Sequence, residues 1–124
     1  MPKKVLAIGI DPDFVDYAML PQFTPEMFRR HIEEQLGCVR AAGYDVRTCL
    51  IDLGETAEAA TTNALASEPF DCVLIGAGLR QPGEHLLLFE KIINLVHRLA
   101  PDARICFNTA PADSAEAVQR WVGP

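Results

Sequence analysis

Four short apolar runs recur along the chain, and each is followed by a segment with helical spacing. The first, Val5 to Ile10, is continuously apolar, as a strand covered on both faces must be. The second, Val46 to Leu53, is interrupted by Arg47, Thr48 and Asp52, which marks a less central strand. Asp71 to Ile75 is apolar after its first residue. Ala103 to Phe107 carries Arg104, a charge suited to a sheet edge. Between the runs, Thr24-Pro25-Glu26 is a helix start: a capping hydroxyl, a proline at the first helical position and an acid in the first turn. Phe28, Ile32, Leu36 and Val39 follow at helical spacing, and Gly43 supplies the stop. Thr56 to Ala66 reads as an alanine-rich surface helix before Pro69. Glu84 to Ala100 is the strongest helical segment and is closed by Pro101. It carries two adjacent stripes, Leu88, Ile92, Leu95 and Leu99 beside Phe89, Ile93, Val96 and Ala100. Asp113-Ser-Ala-Glu116 has the form of a capping box opening a last helix, whose packing face is Ala115, Val118, Trp121 and Val122.

The order βαβαβαβα predicts an α/β chain in which parallel strands are joined by right-handed helical crossovers. The expected architecture is a three-layer α/β/α sandwich, flavodoxin-like or Rossmann-like, with a four-stranded parallel sheet of order 2-1-3-4. Residues 1–124 form one domain in this reading. Ligands of such sheets bind beyond the carboxyl ends of the strands, where the strand order reverses, here between the first and third strands. One connection is longer than the topology needs. Asp11 to Phe23 spans thirteen residues, and long connections in compact domains are often functional.

Composition mainly excludes. Eleven basic against seventeen acidic residues give a net charge of −6, so no basic face is expected for nucleic acid. No apolar run approaches the roughly 20 residues that span a bilayer. Met1-Pro-Lys-Lys before VLAIGI imitates a signal peptide, but the apolar run is short and meets Asp11-Pro12-Asp13 at once. Cys38, Cys49, Cys72 and Cys106 form no CxxC pair, and three of them lie inside apolar runs. The expectation is four reduced thiols in a cytoplasmic protein.

The candidate chemistry gathers at the carboxyl edge. Asp11, Asp13 and Asp16 follow the first strand, with Phe14 and Tyr17 among them; Asp11 and Asp13 suit a divalent cation, a general base raised in pKa by its acidic neighbours, or simply a turn. Gly76-Ala-Gly78-Leu-Arg80 follows the third strand, and His85 lies in the next first turn. Glycines there permit close backbone approach, and Arg80 with His85 completes an anion site for phosphate or carboxylate. Asn108 and Thr109 follow the fourth strand. A GxG without a third glycine or a lysine is neither a dinucleotide fingerprint nor a phosphate loop, so no cofactor is specified. His31 and His97 fall within helices and read as structural or surface residues, Trp121 reads as core, and no nucleophile elbow is present.

The acidic pair after the first strand and Thr109-Ala110 after the fourth resemble response-regulator receiver domains. Gly76 stands where a receiver carries its phosphoacceptor aspartate, and a fifth strand with its lysine is missing, so the resemblance implies the topology without phosphoryl transfer. The stretch GAGLRQPGEHLLLFEKIINLVH, with ICFNTAP after it, is similar to a family of small uncharacterised bacterial α/β proteins; that resemblance implies a fold and no activity. Three function classes follow. The first is a binding or sensing domain for a small anionic ligand at Asp11, Asp13, Gly76, Gly78, Arg80, His85, Asn108 and Thr109. The second is a small enzyme using an Asp or His at the same edge. The third is a pseudo-receiver that acts by dimerising. Nine large apolar residues between Leu86 and Leu99 exceed what one helix face needs, and they predict a homodimer through that helix, the C-terminal helix or the edge of the fourth strand.

Overall fold

The computed structural model describes residues 2–123. Four strands, β1 (Lys4–Ile10), β2 (Asp45–Ile51), β3 (Cys72–Ile75) and β4 (Arg104–Phe107), form one all-parallel sheet in the order β2-β1-β3-β4. The helices are α1 (Pro25–Ala41), α2 (Ala57–Ser67), α3 (Ala77–Arg80), α4 (Leu86–Leu99) and α5 (Ser114–Trp121). The result is the flavodoxin-like three-layer sandwich expected from the runs, with the strand order reversing between β1 and β3. Among the described residues no helix is long and apolar enough to cross a membrane.

Side chains alternate across each strand, so the sheet builds two cores. One holds Leu6, Ile8 and Ile10 of β1 with Val73, Ile75, Cys49 and Ile51, covered by Ala57 and Leu65 of α2, Leu79 of α3, and Ile92, Leu95 and Val96 of α4. The other holds Val5, Ala7, Val46, Cys72, Leu74 and Cys106, covered by Leu36 and Val39 of α1 and Ala117 and Val118 of α5.

The helix signals act largely as read. The Thr24 hydroxyl accepts from the Met27 amide at 3.2 Å and Pro25 opens α1. Gly43 ends that helix at φ 106°, a left-handed conformation open to glycine at little cost.

Several details differ from the sequence reading. β2 stops at Ile51 rather than Leu53, because the Asp52 carboxylate turns back to accept from the Gly54 and Thr56 amides. The four residues of α3 went unforeseen, since one turn has no periodicity to detect. α4 begins at Leu86 behind a 3-10 turn, Gly83–His85, and buries Ile92, Leu95 and Val96 fully, while Leu88, Phe89 and Ile93 are partly covered. Asp113 makes no capping bond to α5. Its carboxylate faces the preceding turn and accepts from the Thr109 and Ala110 amides and the Thr109 hydroxyl. Trp121 is not core: it is 57% exposed, and Ala117, Val118 and Val122 fill the place assigned to it.

Burial separates two leucines of similar appearance in the sequence. Leu6→Ala should cost about 2–5 kcal/mol of unfolding free energy, whereas Leu53→Ala, at a site 49% exposed, should stay within about 1 kcal/mol. Urea denaturation of the two variants checks the assignment of the core; equal losses would refute it.

Candidate functional site

On the face covered by α1, β1 tapers toward the carboxyl edge, and both central strands end there on a glycine position. β1 presents Val5, Ala7 and then Gly9; β3 presents Cys72, Leu74, and Gly76 follows its end. The opposite face keeps Leu6, Ile8, Ile10 and Ile75. Where the small residues meet, the packing opens into a cavity of about 100 Å³. Ala7, Gly9, Leu74 and Gly76 form its floor with Thr48 and Leu50 of β2; Phe28, Ile32 and Leu36 of α1 and Val15 of the long connection wall it; Ala77, Gly78, Asn108, Pro111 and Ser114 border it. None of these side chains carries a charge. A Cβ added at Gly9 or Gly78 would meet nothing within 4 Å, and one at Gly76 would make only ordinary contact, 3.5 Å from the Ile8 carbonyl oxygen. The backbone does not require glycine at Gly9 for space; the missing side chain leaves the cavity its depth.

The border is held by a buried amide. Asn108 Oδ1 accepts from the Ala77 amide at 2.8 Å, and its Nδ2 donates to Ser114 Oγ at 3.0 Å. Ser114 Oγ in turn donates to the Pro111 carbonyl at 2.8 Å. One side chain thus ties the turn after β3 to the exit of β4 and the start of α5. Thr109 beside it is exposed and bonded to Asp113, and its carbonyl accepts from Gln81 Nε2 at 3.2 Å.

The long connection is folded, not loose. Asp11 Oδ1 accepts from the Asp13 amide at 2.9 Å and caps a 3-10 turn, Pro12–Phe14; the Tyr17 hydroxyl donates to the Pro12 carbonyl at 2.7 Å. Tyr17 and Phe23 pack their rings against Phe28, and Phe23 also meets His31. His31 therefore belongs to the aromatic group behind the cavity wall.

Charge is arranged differently from the sequence expectation. Arg29, not singled out beforehand, donates to Asp11 at 2.9 Å and lies 3.4 Å from Asp13. The Asp13 amide is the main cause holding the Asp11 carboxyl below its ordinary value; partial burial opposes it, and the Arg29 guanidinium adds to it. A general base raised by neighbouring acids is thus corrected for Asp11: a cation and an amide face its carboxylate, and both favour the charged form. Among the described residues, no three His, Cys, Asp or Glu side chains converge as metal ligands. Arg80 turns to the far face of the sheet, where its guanidinium lies 4.9 Å from the Phe107 ring centroid and donates to the Asn108 carbonyl. His85 stays at the rim, with Nδ1 3.1 Å from the Gly78 carbonyl oxygen.

Of the residues expected at the edge, Gly76, Gly78 and Asn108 border the cavity. Asp11 and Asp13 are gathered with Arg29, while Arg80 and His85 approach the same turn from outside. The cavity itself, with Ala7, Gly9, Phe28 and Ile32, was missed, although the alternate residues Val5, Ala7 and Gly9 advertise it. Comparison with known proteins returned no match: no family model, no curated protein and no solved structure aligns with the chain.

Two outcomes follow from this geometry. Asn108→Ala orphans the Ala77 amide and should cost about 1–3 kcal/mol, measured by denaturant unfolding; an unchanged midpoint would show that water replaces the amide. The folded-state pKa of Asp11 lies below its unfolded value, so its stabilisation is present above the ordinary 3.8 and is lost as pH falls through the folded value. Asp11→Asn should therefore flatten the acid limb of the stability profile below about pH 5, followed by circular dichroism. Parallel acid limbs would contradict the pairing.

Proposed function

We propose that the protein is a small-molecule binding or sensing domain whose ligand seats at the carboxyl edge of the sheet, with a small apolar portion in the cavity. The cavity carries this reading. It lies at the topological switch point, and it owes its depth to Gly9, where an added Cβ would meet nothing within 4 Å. Size sets the ligand's division. A void of about 150 Å³ accepts benzene, whereas whole-ligand pockets run from about 300 Å³ upward. A cavity of about 100 Å³, smaller than that void, therefore takes a branched alkyl group or the inner edge of a small ring and leaves the remainder of the ligand on the rim.

An anionic group on that remainder completes the proposed ligand, with Gly76, Gly78, Arg80, His85, Asn108 and Thr109 around it, while the Asp11 and Asp13 carboxylates repel an anion and face a cationic or hydrogen-bond-donating part of the ligand. His85 need only release the Gly78 carbonyl to face the anionic group; Arg80 must exchange its bond to Asn108. The cavity and the charge are therefore tested separately. Calorimetry with benzoate, phenyl phosphate and benzamide should show binding to the wild type that Gly9→Val weakens at least about tenfold for all three, by filling the cavity with the fold intact. Arg80→Ala should weaken only the two anions, by about ten- to a hundredfold, the effect of losing one charge-assisted bond. Absence of binding, or indifference to Gly9→Val, would overturn the cavity reading; equal affinity for benzamide and benzoate would remove the anion from it.

A second reading rests on a different observation. Leu86, Leu87, Leu99, Phe107 and Trp121 are exposed along α4, the open edge of β4 and α5, and we infer a homodimer formed through these elements. Light scattering should give twice the chain mass at micromolar concentration, and Leu86→Asp with Leu87→Asp should return the monomer. A monomer mass for the wild type throughout would refute it. A reducing, cytoplasmic setting is part of the proposal, argued from the burial of Cys49, Cys72 and Cys106 as small core residues.

A further inference from the structure

The fold brings together two thiols that the cavity does not use. β3 and β4 pair in the register Cys72↔Arg104 and Leu74↔Cys106, so Cys72 and Cys106 lie diagonally across adjacent strands on the α1–α5 face. Their Sγ atoms are 3.4 Å apart, and both residues are fully buried. Cys49 lies in the opposite core, and Cys38 is exposed on α1. Neither competes for the pair.

We propose that Cys72 and Cys106 are a redox pair that closes a cross-strand disulfide when the protein meets a hydroperoxide. In the first step the Cys106 thiolate attacks one peroxide oxygen. The O–O bond breaks, the leaving oxygen takes a proton and departs as water or an alcohol, and Cys106 becomes a sulfenic acid. In the second step the Cys72 sulfur attacks the Cys106 sulfur. The S–S bond forms, the S–O bond breaks, and the departing hydroxide takes the proton lost by Cys72, leaving as water. The two sulfurs together give up two electrons and two protons, and the peroxide accepts them. Cys106 leads because a cation lies near it: the Arg120 guanidinium donates to the carbonyl of the adjacent Phe107 at 2.9 Å. The contact with Cys72 favours the Cys106 thiolate, and although burial opposes that charge, Arg120 supports it. The same contact, with burial, pushes the Cys72 thiol up.

Access is the rate-controlling feature. Cys106 is covered by α5, an eight-residue helix at the end of the described chain. Opening one helix costs less than unfolding the whole domain, and lifting α5 away from Asn108 and Tyr44 exposes the pair without dissolving the sheet. Once a sulfenic acid forms, the sulfurs must approach by about 1.4 Å to reach the bond length of about 2.05 Å, and the diagonal register makes the strand ends shift toward each other as they do so.

The test uses the full chain carrying Cys38→Ser, which removes the one exposed thiol. The protein is treated with hydrogen peroxide under native conditions, alkylated after denaturation and mapped without reductant. Two of the three remaining thiols should disappear, joined as a Cys72–Cys106 cross-link that dithiothreitol reverses, with Cys49 still alkylated. Cys106→Ala should abolish the cross-link; if that variant does not fold, the thiol count in the Cys38→Ser chain decides alone. Three results would overturn the proposal. In one, Cys72 and Cys106 stay alkylatable under conditions that fully oxidise Cys38 in the unsubstituted chain. In another, each is oxidised separately to a sulfinic acid. In the third, the cross-link forms only after urea unfolds the protein.

Discussion

A central strand of a parallel sheet must be covered on both faces, so every one of its residues answers to a packing neighbour. β1 meets that constraint unequally. Its even-numbered residues, Leu6, Ile8 and Ile10, remain large from end to end and hold α2 and α4. The odd-numbered residues fall from Val5 through Ala7 to Gly9, while α1 continues above them with Leu36, Ile32 and Phe28. A helix is rigid over this length, so it cannot sink to follow the shrinking floor, and the cavity results. The position of the void is thus a consequence of three side chains on one strand.

The surroundings keep that space from collapsing. Phe28 is held from behind by Tyr17 and Phe23, and the Asp11–Arg29 bond ties the end of β1 to α1. On the other side Asn108 fixes the turn after β3 against α5. The Asp11–Arg29 and Asn108–Ala77 bonds join residues 18 and 31 positions apart, while the ring packing on Phe28 is local. Together they preorganise the edge, so that a ligand need not supply the ordering free energy of the loops.

The layer order, strand order and most helix limits were legible because they rest on local signals. Continuous apolar runs declare doubly covered strands, and Thr24-Pro25 and Gly43 punctuate α1. The errors have physical causes of their own. Asp113 satisfies the form of a capping box, but the Thr109 and Ala110 amides compete for its carboxylate and win. Trp121 sits where a helical stripe predicts burial, yet Ala117, Val118 and Val122 cover the sheet and leave the indole outside. Arg80 reads as a ligand group from its place after two glycines. Which face it takes is decided by the Phe107 ring and the Asn108 carbonyl, thirty residues away in sequence or nearly so. The taper of β1 was present in the sequence from the start. It is visible only when alternate residues are read separately and the smaller set is treated as space instead of weak packing.

The most direct test of this account is nuclear magnetic resonance of the 15N-labelled chain titrated with benzoate and benzamide, in the wild type and in Gly9→Val. The amide signals of Gly9, Ala77, Gly78 and Asn108 should shift together and saturably in the wild type, while those of α2 stay in place. Gly9→Val should keep a folded spectrum and lose the response. Shifts scattered over the exposed faces of α4 and α5, or an unchanged response in Gly9→Val, would contradict a ligand cavity at the carboxyl edge.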